Sequence, residues 1–361
     1  MRLTIFSVLL LLGTTEAAHA ADLPSPVEND AVLPKFKFAT GQVLPELKIH
    51  YRTLGEPRRG ADGKVNNAVL ILHGTGGAGS NFVEGRGGEL FAAELFGKGQ
   101  LLDATRYFII LPDNIGHGKS SKPSDGLHAR FPRYGYEDMI LAQYLLLAQA
   151  LKVNHLRLVL GTSMGGMHTW IWGQRYPDFA DALMPLASLP TQISGRNRLW
   201  RKMISDGIRN DPAWKNGDYD KQLPALRTAA QLLSFMSSNA VIRQKEAPTL
   251  RAADEFFDQE VARRLRSLDA NDLLYAVESS WDYNPAPGLK NIPAPLLAIN
   301  FADDLINPPE LGILEQAIKD VPKGKAIVVP AGPETIGHGT HTKAAVWKMY
   351  LEQLLKESER P

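Results

Sequence analysis

The stretch Leu156-Arg157-Leu158-Val159-Leu160-Gly161-Thr162-Ser163-Met164-Gly165 decides how this chain is read. An apolar run, broken only by Arg157, leads into a serine with a glycine two residues away on each side. A helix-forming run from Met164 to Tyr176 follows. The order is strand, sharp turn, helix. Glycine suits both flanks, because a Cβ there would collide with the neighbouring strand or helix in so tight a bend. The turn lifts the Ser163 hydroxyl clear of the backbone. The helix beginning beside it aims free N–H groups and a positive dipole end at any oxyanion formed there. The competing reading is a Gly-rich packing turn with a surface serine; the strand before and the helix after favour a nucleophile.

Working outward, Ala68 to Leu72, Tyr107 to Leu111, Pro295 to Phe301 and Ala326 to Val329 are further short, nearly continuous apolar runs. Strands buried on both faces read this way, as in parallel sheets covered by helices. Leu47 to Arg52 alternates instead, the period of a half-exposed strand at an antiparallel edge. Pro24 to Pro34 reads as an extended lead-in. Helical periodicity runs from Glu137 to Leu151 and from Lys343 to Lys356. Alternating strands and helices predict an α/β fold, a mostly parallel sheet flanked by helices. Residues 191–290 break the alternation with polar, helix-forming sequence and read as an inserted helical cap. The predicted core is therefore residues 36–190 and 291–361.

The 361 residues are 44% hydrophobic and 22% charged, with a formal net charge of +1. That balance, with no basic cluster among aromatics, argues against nucleic acid as a partner and against anionic membrane surfaces. There is no cysteine, which excludes disulfides, thiolate catalysis and Cys-ligated metals. Arg2, the apolar Ile5 to Leu12 and Ala18-His19-Ala20 form a signal peptide over residues 1–20. The apolar stretch is well short of the ~20 residues a membrane span needs. The expectation is an exported protein, periplasmic or secreted, with no membrane attachment after cleavage.

A serine hydroxyl becomes a useful nucleophile when a histidine takes its proton and a carboxylate orients that histidine. On this architecture the acid and then the base follow the serine, each on a loop after a later strand. Asp303 and Asp304 follow the strand ending at Phe301, and spacing alone does not separate them. His338 follows the strand ending at Val329. His341, three residues on, is the alternative, and a His338/His341 metal pair is a further reading that lacks a clear third ligand. Two backbone donors should face the developing oxyanion: the N–H of Met164, and one from His73-Gly74-Thr75-Gly76-Gly77, with Thr75 first and Gly76 second. Asp113 to Ser120 has the look of a phosphate loop, but position 113, where a glycine is needed, is Asp. Trp200, Trp214 and Trp281 are candidates to line an apolar acyl or alcohol pocket, with helix packing the commoner role of such aromatics.

Taken together, these residues resemble the homoserine O-acetyltransferase branch of the α/β-hydrolase superfamily. The likeness runs from about Phe36 to the last helix. It is most specific at Gly161 to Met167 with Arg175-Tyr176-Pro177-Asp178, at Asp113-Asn114-Ile115-Gly116 with Glu137-Asp138-Met139 and Gln143, at Asp304 to Pro309, and at Gly337-His338. The resemblance selects Asp304 as the triad acid. It implies that Asn197 and Arg201, four apart in the cap, bind substrate, the Arg holding an acceptor carboxylate; it also implies a homodimer. The chain departs from the family after His338: an Asp that holds the acceptor's ammonium group is here Gly339.

The expected function is an exported serine hydrolase acting on small-molecule esters or related acyl compounds through Ser163, Asp304 and His338. No metal or organic cofactor is required. The alternatives are an O-acyltransferase and a binding protein of the same fold without turnover.

Overall fold

The computed structural model describes residues 23–359. The sequence-predicted signal peptide at residues 1–20 lies outside them. Eight strands form one sheet: β1 (Val27–Lys37), β2 (Val43–Leu54), β3 (Ala68–Leu72), β4 (Phe108–Pro112), β5 (Leu158–Thr162), β6 (Leu183–Leu186), β7 (Leu296–Phe301) and β8 (Gly324–Val329). Their spatial order is β1–β2–β4–β3–β5–β6–β7–β8. Pairing is antiparallel from β1 through β2 to β4 and parallel across the rest. The helices outside the cap are α1 (Gly85–Leu95), α2 (Tyr136–Leu145), α3 (Met164–Arg175), α9 (Ile313–Ala317) and α10 (Ala344–Glu357).

The central strands are apolar throughout because both faces are covered. Leu70 and Leu72 of β3 pack into the cluster with Met139 of α2 and Trp170 of α3. Val69 and Ile71 point the other way, to Phe91 of α1 and Trp347 of α10. This alternation around a doubly covered sheet is what the uninterrupted Leu/Val/Ile runs encode.

Three strands differ from the sequence reading. The lead-in from Pro24 to Pro34 is largely strand β1, so the sheet begins at Val27, ahead of the expected boundary at residue 36. Ala31 and Leu33 turn inward with period two. Pro34 is tolerated because β1 is the sheet edge, where one side of the ladder lacks a partner. Strand β6 has four residues, one of them Pro185, and its local sequence argues against a strand. Neighbours on both sides, β5 and β7, override that preference. Strand β5 also ends at Thr162, two residues later than the apolar run suggests. The expected helix to Leu151 finishes in a π turn over Leu146–Ala150.

The loop from Asp113 to Ser120 is a structural anchor. Asp113 accepts hydrogen bonds from the N–H groups of Gly79 (2.7 Å) and Lys119 (2.8 Å), and it faces the buried Arg52 guanidinium at 3.5 Å. The carboxylate that spoils a phosphate loop thus ties the β1–β2 hairpin to the loops above β3 and β4.

Residues 191–290 carry five helices and no strand: α4 (Gly195–Asn210), α5 (Pro224–Met236), α6 (Ala240–Glu246), α7 (Leu250–Leu265) and α8 (Ala270–Glu278). They enclose a core of their own, with Trp200, Ile204, Ile208, Trp214, Leu226 and Leu274. Polar contacts hold α8 to the rest of the molecule: the Tyr275 hydroxyl donates to the Phe131 carbonyl (2.6 Å), and Asp272 forms a latch. Asp272 accepts from the Ser124 N–H (2.8 Å) and hydroxyl (2.6 Å). Burial raises its pKa to about 6, against the pull of those bonds. A carboxyl whose folded pKa exceeds its unfolded value (~3.9) holds its proton more tightly when folded, so its contribution to stability declines between about pH 4 and pH 6. Asp272→Asn should therefore gain stability relative to the parent as pH rises from 4.5 to 7.5, by at most about 2 kcal/mol. Thermal melts at several pH values check this; a pH-independent difference between the two proteins would refute it.

Candidate active site

Strand β5 and helix α3 meet at Ser163, whose backbone adopts φ 55° and ψ −111°. A non-glycine residue in that region is strained, and close packing on either side enforces it. A Cβ on Gly161 would lie 1.9 Å from the Gly165 carbonyl oxygen, and one on Gly165 would lie 2.1 Å from that of Leu72. With strand and helix so close, the serine at the bend has no other path and its side chain is driven outward.

His338 arrives from the loop after β8. Its Nε2 is 2.8 Å from Ser163 Oγ and its Nδ1 is 2.8 Å from Asp304 Oδ2. Asp304 is almost fully buried. Burial alone would raise its pKa, but the His338 interaction and backbone donors outweigh it and hold the carboxyl below its usual value. Those donors are the N–H groups of Ile306 (2.7 Å) and Asn307 (3.2 Å). An ionised carboxylate only accepts, so Nδ1 carries the proton and Nε2 offers its lone pair to the serine hydroxyl.

Asp303 does different work. Its Oδ2 accepts from Asn239 in the cap, from Thr335 Oγ1 (2.8 Å) and from the Gly337 N–H (3.0 Å). It fixes the loop that carries His338. Asn307, which sequence reasoning quoted without assigning a role, donates to the Ala187 carbonyl (2.9 Å) and lies 3.3 Å from Asp304 Oδ2. His341 lies beside the base, ring centroids 5.2 Å apart. Burial drives its pKa down to about 3. Both nitrogens of His338 are engaged, one by Asp304 and one by Ser163.

A cavity of about 490 Å³ opens over Ser163. Gly74 abuts the nucleophile: a Cβ there would be 3.3 Å from Ser163 Cβ. Thr75 and Gly76 line the same cavity. Met164 is buried at the start of α3, in the turn whose N–H groups have no intrahelical acceptor. Asn197, Trp200 and Arg201 line the opposite wall. Arg201 is buried, bonds to Asn197 Oδ1 (3.2 Å) and the Val277 carbonyl (3.4 Å), and lies over the Trp200 ring at 4.8 Å. Burial lowers its pKa, and among the described residues no carboxylate forms an ion pair with it. The indole N–H of Trp200 is buried and has no hydrogen-bond partner among the described residues. Of the three tryptophans proposed for the pocket, Trp200 lines it; Trp214 and Trp281 line a separate cavity at the cap seam, with Trp281 41% exposed. Large aromatics in the cap serve packing as readily as binding, and periodicity does not tell the two apart.

Comparison with known proteins agrees with this fold. Residues 67–336 match the family model for the alpha/beta hydrolase fold. A homoserine O-acetyltransferase of Chlorobaculum parvum is 31% identical over 306 residues, covering 76% of this chain and 80% of that protein. Among solved structures, a homoserine O-acetyltransferase from Bacillus anthracis superimposes with a TM-score of 0.76 at 21% identity, over 94% of this chain and 99% of the other. An acetylester hydrolase from Corynebacterium glutamicum gives 0.74 at 22% identity, over 92% and 95%. Enzymes of both acyltransferase and esterase type thus surround this one. The chain belongs to the α/β-hydrolase family, on the branch that holds the homoserine O-acetyltransferases.

Proposed function

We propose that the protein is an O-acyltransferase that carries its acyl group on Ser163. The observation that carries this reading is the pair of 2.8 Å contacts that place His338 between Ser163 Oγ and Asp304. In the first half-reaction Oγ attacks the carbonyl carbon of an ester or thioester donor while its proton passes to His338 Nε2. The tetrahedral oxyanion is met by the N–H groups of Met164 and Thr75. Collapse breaks the bond to the leaving alcohol or thiol, which takes the proton from His338. In the second half-reaction an incoming hydroxyl gives its proton to His338 and attacks the acyl carbon, and Ser163 regains its proton as it departs. Asp304 holds the imidazole tautomer and offsets the charge on the imidazolium. The cycle balances without a metal or organic cofactor.

Transfer ranks ahead of hydrolysis because sequence relatives matched over most of their length include homoserine O-acetyltransferases. Hydrolysis, the expectation from sequence alone, stands as the second reading. Gly339 favours it, since this position supplies no carboxylate for an amino-acid acceptor. Arg201 remains, however. A buried guanidinium with no ion-pair partner suits a carboxylate, so the acceptor we favour is a hydroxy acid that need not carry an ammonium group. Export is also part of the proposal, supported by Arg2, Ile5 to Leu12 and Ala18-His19-Ala20. Cytoplasmic thioesters are scarce outside the cell, and an ester would then be the donor.

The test is to acylate the enzyme with p-nitrophenyl acetate and measure how the acyl group partitions among water, 4-hydroxybutanoate and homoserine. Ester product from 4-hydroxybutanoate, at the expense of acetate, is expected. Acetate alone would leave hydrolysis as the activity, and Ser163→Ala retaining turnover within ~10⁴-fold of the parent would remove the acyl-enzyme altogether. Arg201→Gln should raise KM for the hydroxy acid by about 10- to 100-fold while leaving a neutral alcohol acceptor unaffected, the loss matching a charge-assisted hydrogen bond of ~1.5–3 kcal/mol. Equal effects on both acceptors would assign Arg201 to packing. N-terminal sequencing of protein recovered from an expressing bacterium should begin at Ala21 in the exported fraction; protein found only in the cytoplasmic fraction, with Met1 or Arg2 at its terminus, would count against export.

A further inference from the structure

Behind the site lies a buried polar chain that the catalytic cycle does not use. Trp172 sits on α3, the helix that starts at the nucleophile, and its indole N–H donates to Gln143 Oε1 at 2.7 Å. An indole nitrogen can only donate, so the orientation of the Gln143 amide is forced. Gln143 Nε2 then donates to Asn114 Oδ1 (2.5 Å), which turns the Asn114 amino group toward His73 Nε2 (3.1 Å). The backbone N–H of Asn114 points at the same ring nitrogen at 3.0 Å. Two donors converge on His73 Nε2, so it must be the acceptor and Nδ1 must carry the proton. Nδ1 faces the Gly74 carbonyl at 2.9 Å. That carbonyl also accepts from the Gly77 N–H (3.0 Å). His73, Asn114, Gln143 and Trp172 are all buried, and burial lowers the His73 pKa to about 4, so the ring is neutral near pH 7.

In a planar trans peptide the carbonyl and the following N–H point in opposite directions. Anchoring the Gly74 carbonyl on His73 therefore sets the direction of the Thr75 N–H, in a residue that lines the Ser163 cavity. We infer that Trp172, Gln143 and Asn114 form a directed hydrogen-bond relay that fixes the tautomer of His73, and that His73 is the positioning residue for the Thr75 oxyanion donor. This inference rests on the acyl-transfer reading for its consequence, but not for its geometry. Through the relay, the helix that raises the nucleophile also aims the group that stabilises the intermediate.

Two measurements test it. The first is ¹⁵N–¹H correlation NMR of histidine-labelled protein, which reads the tautomer whether or not the enzyme turns over. His73 should appear as the neutral Nδ1–H form, and Gln143→Leu, which frees the Asn114 amide while its backbone N–H stays in place, should shift the His73 Nε2 resonance. An Nε2–H form in the parent, or a Gln143→Leu spectrum unchanged at His73, would overturn the relay. The second compares His73→Leu with His73→Asn, whose amide nitrogen can stand in for Nδ1–H. With p-nitrophenyl acetate, His73→Leu should lose about 10- to 100-fold in kcat with KM within threefold, and should bind phenylboronic acid, which forms a tetrahedral adduct on serine, more weakly by a similar factor. His73→Asn should recover most of both. Equal losses in the two variants, or unchanged boronate affinity in His73→Leu, would reduce His73 to a packing residue. Should His73→Leu fail to fold, His73→Asn and the parent spectrum still decide. A parent that never forms an acyl-enzyme would sink the functional reading while leaving the tautomer result to judge the relay.

Discussion

The distance between β5 and α3 governs this molecule. With 1.9 Å between a notional Cβ on Gly161 and the Gly165 carbonyl, and 2.1 Å between one on Gly165 and the carbonyl of Leu72 at the end of β3, the helix touches β5 and its neighbour β3 backbone to backbone. No side chain larger than hydrogen fits at either contact. The bend between them can close only if Ser163 takes a positive φ, and the strain of that conformation is held by the packing of a sheet covered on both faces. A nucleophile at the top of a parallel sheet is thus a consequence of packing. The chemistry then requires only that later loops arrive in the right place.

They do so through carboxylates with divided tasks. Asp304 faces the imidazole and is kept ionised by His338 and two backbone N–H groups. Asp303, its neighbour, holds the loop that presents the imidazole and reaches across to Asn239 in the cap. Adjacent residues on one turn point to opposite sides and so separate catalysis from support. Arg201 shows the converse arrangement: buried in the cap and free of any carboxylate ion pair among the described residues, it leaves a positive charge at the wall of the cavity over Ser163.

Much of this was readable from the chain. The nucleophile turn, the order of acid and base, the helical insertion and the strands buried on both faces all have strong local signatures, because apolar runs and Gly-x-Ser-x-Gly each have one dominant structural reading. The elements that escaped have weak ones. Strand β1 hid behind prolines that only an edge position tolerates, and β6 is a four-residue strand with a proline that neighbours hold in place. Choosing Asp304 over Asp303 needed a family likeness, since adjacent positions differ only in the direction of their side chains. The roles of Asp303, Asn307 and His73 depend on contacts between residues tens of positions apart, which no window of sequence displays. Which of Trp200, Trp214 and Trp281 would line the cavity over Ser163 was not legible for a similar reason: aromatic content marks burial of some kind without saying against what.

The central claim is that Ser163 carries the acyl group. Intact-protein mass spectrometry, followed by peptide mapping of enzyme quenched in acid during turnover of p-nitrophenyl acetate, tests it most directly. The account predicts an added acetyl mass located on the peptide containing Ser163, which disappears as substrate is exhausted. Turnover with no such adduct, in a variant slowed at His338 as well as in the parent, or an adduct on another residue, would contradict it.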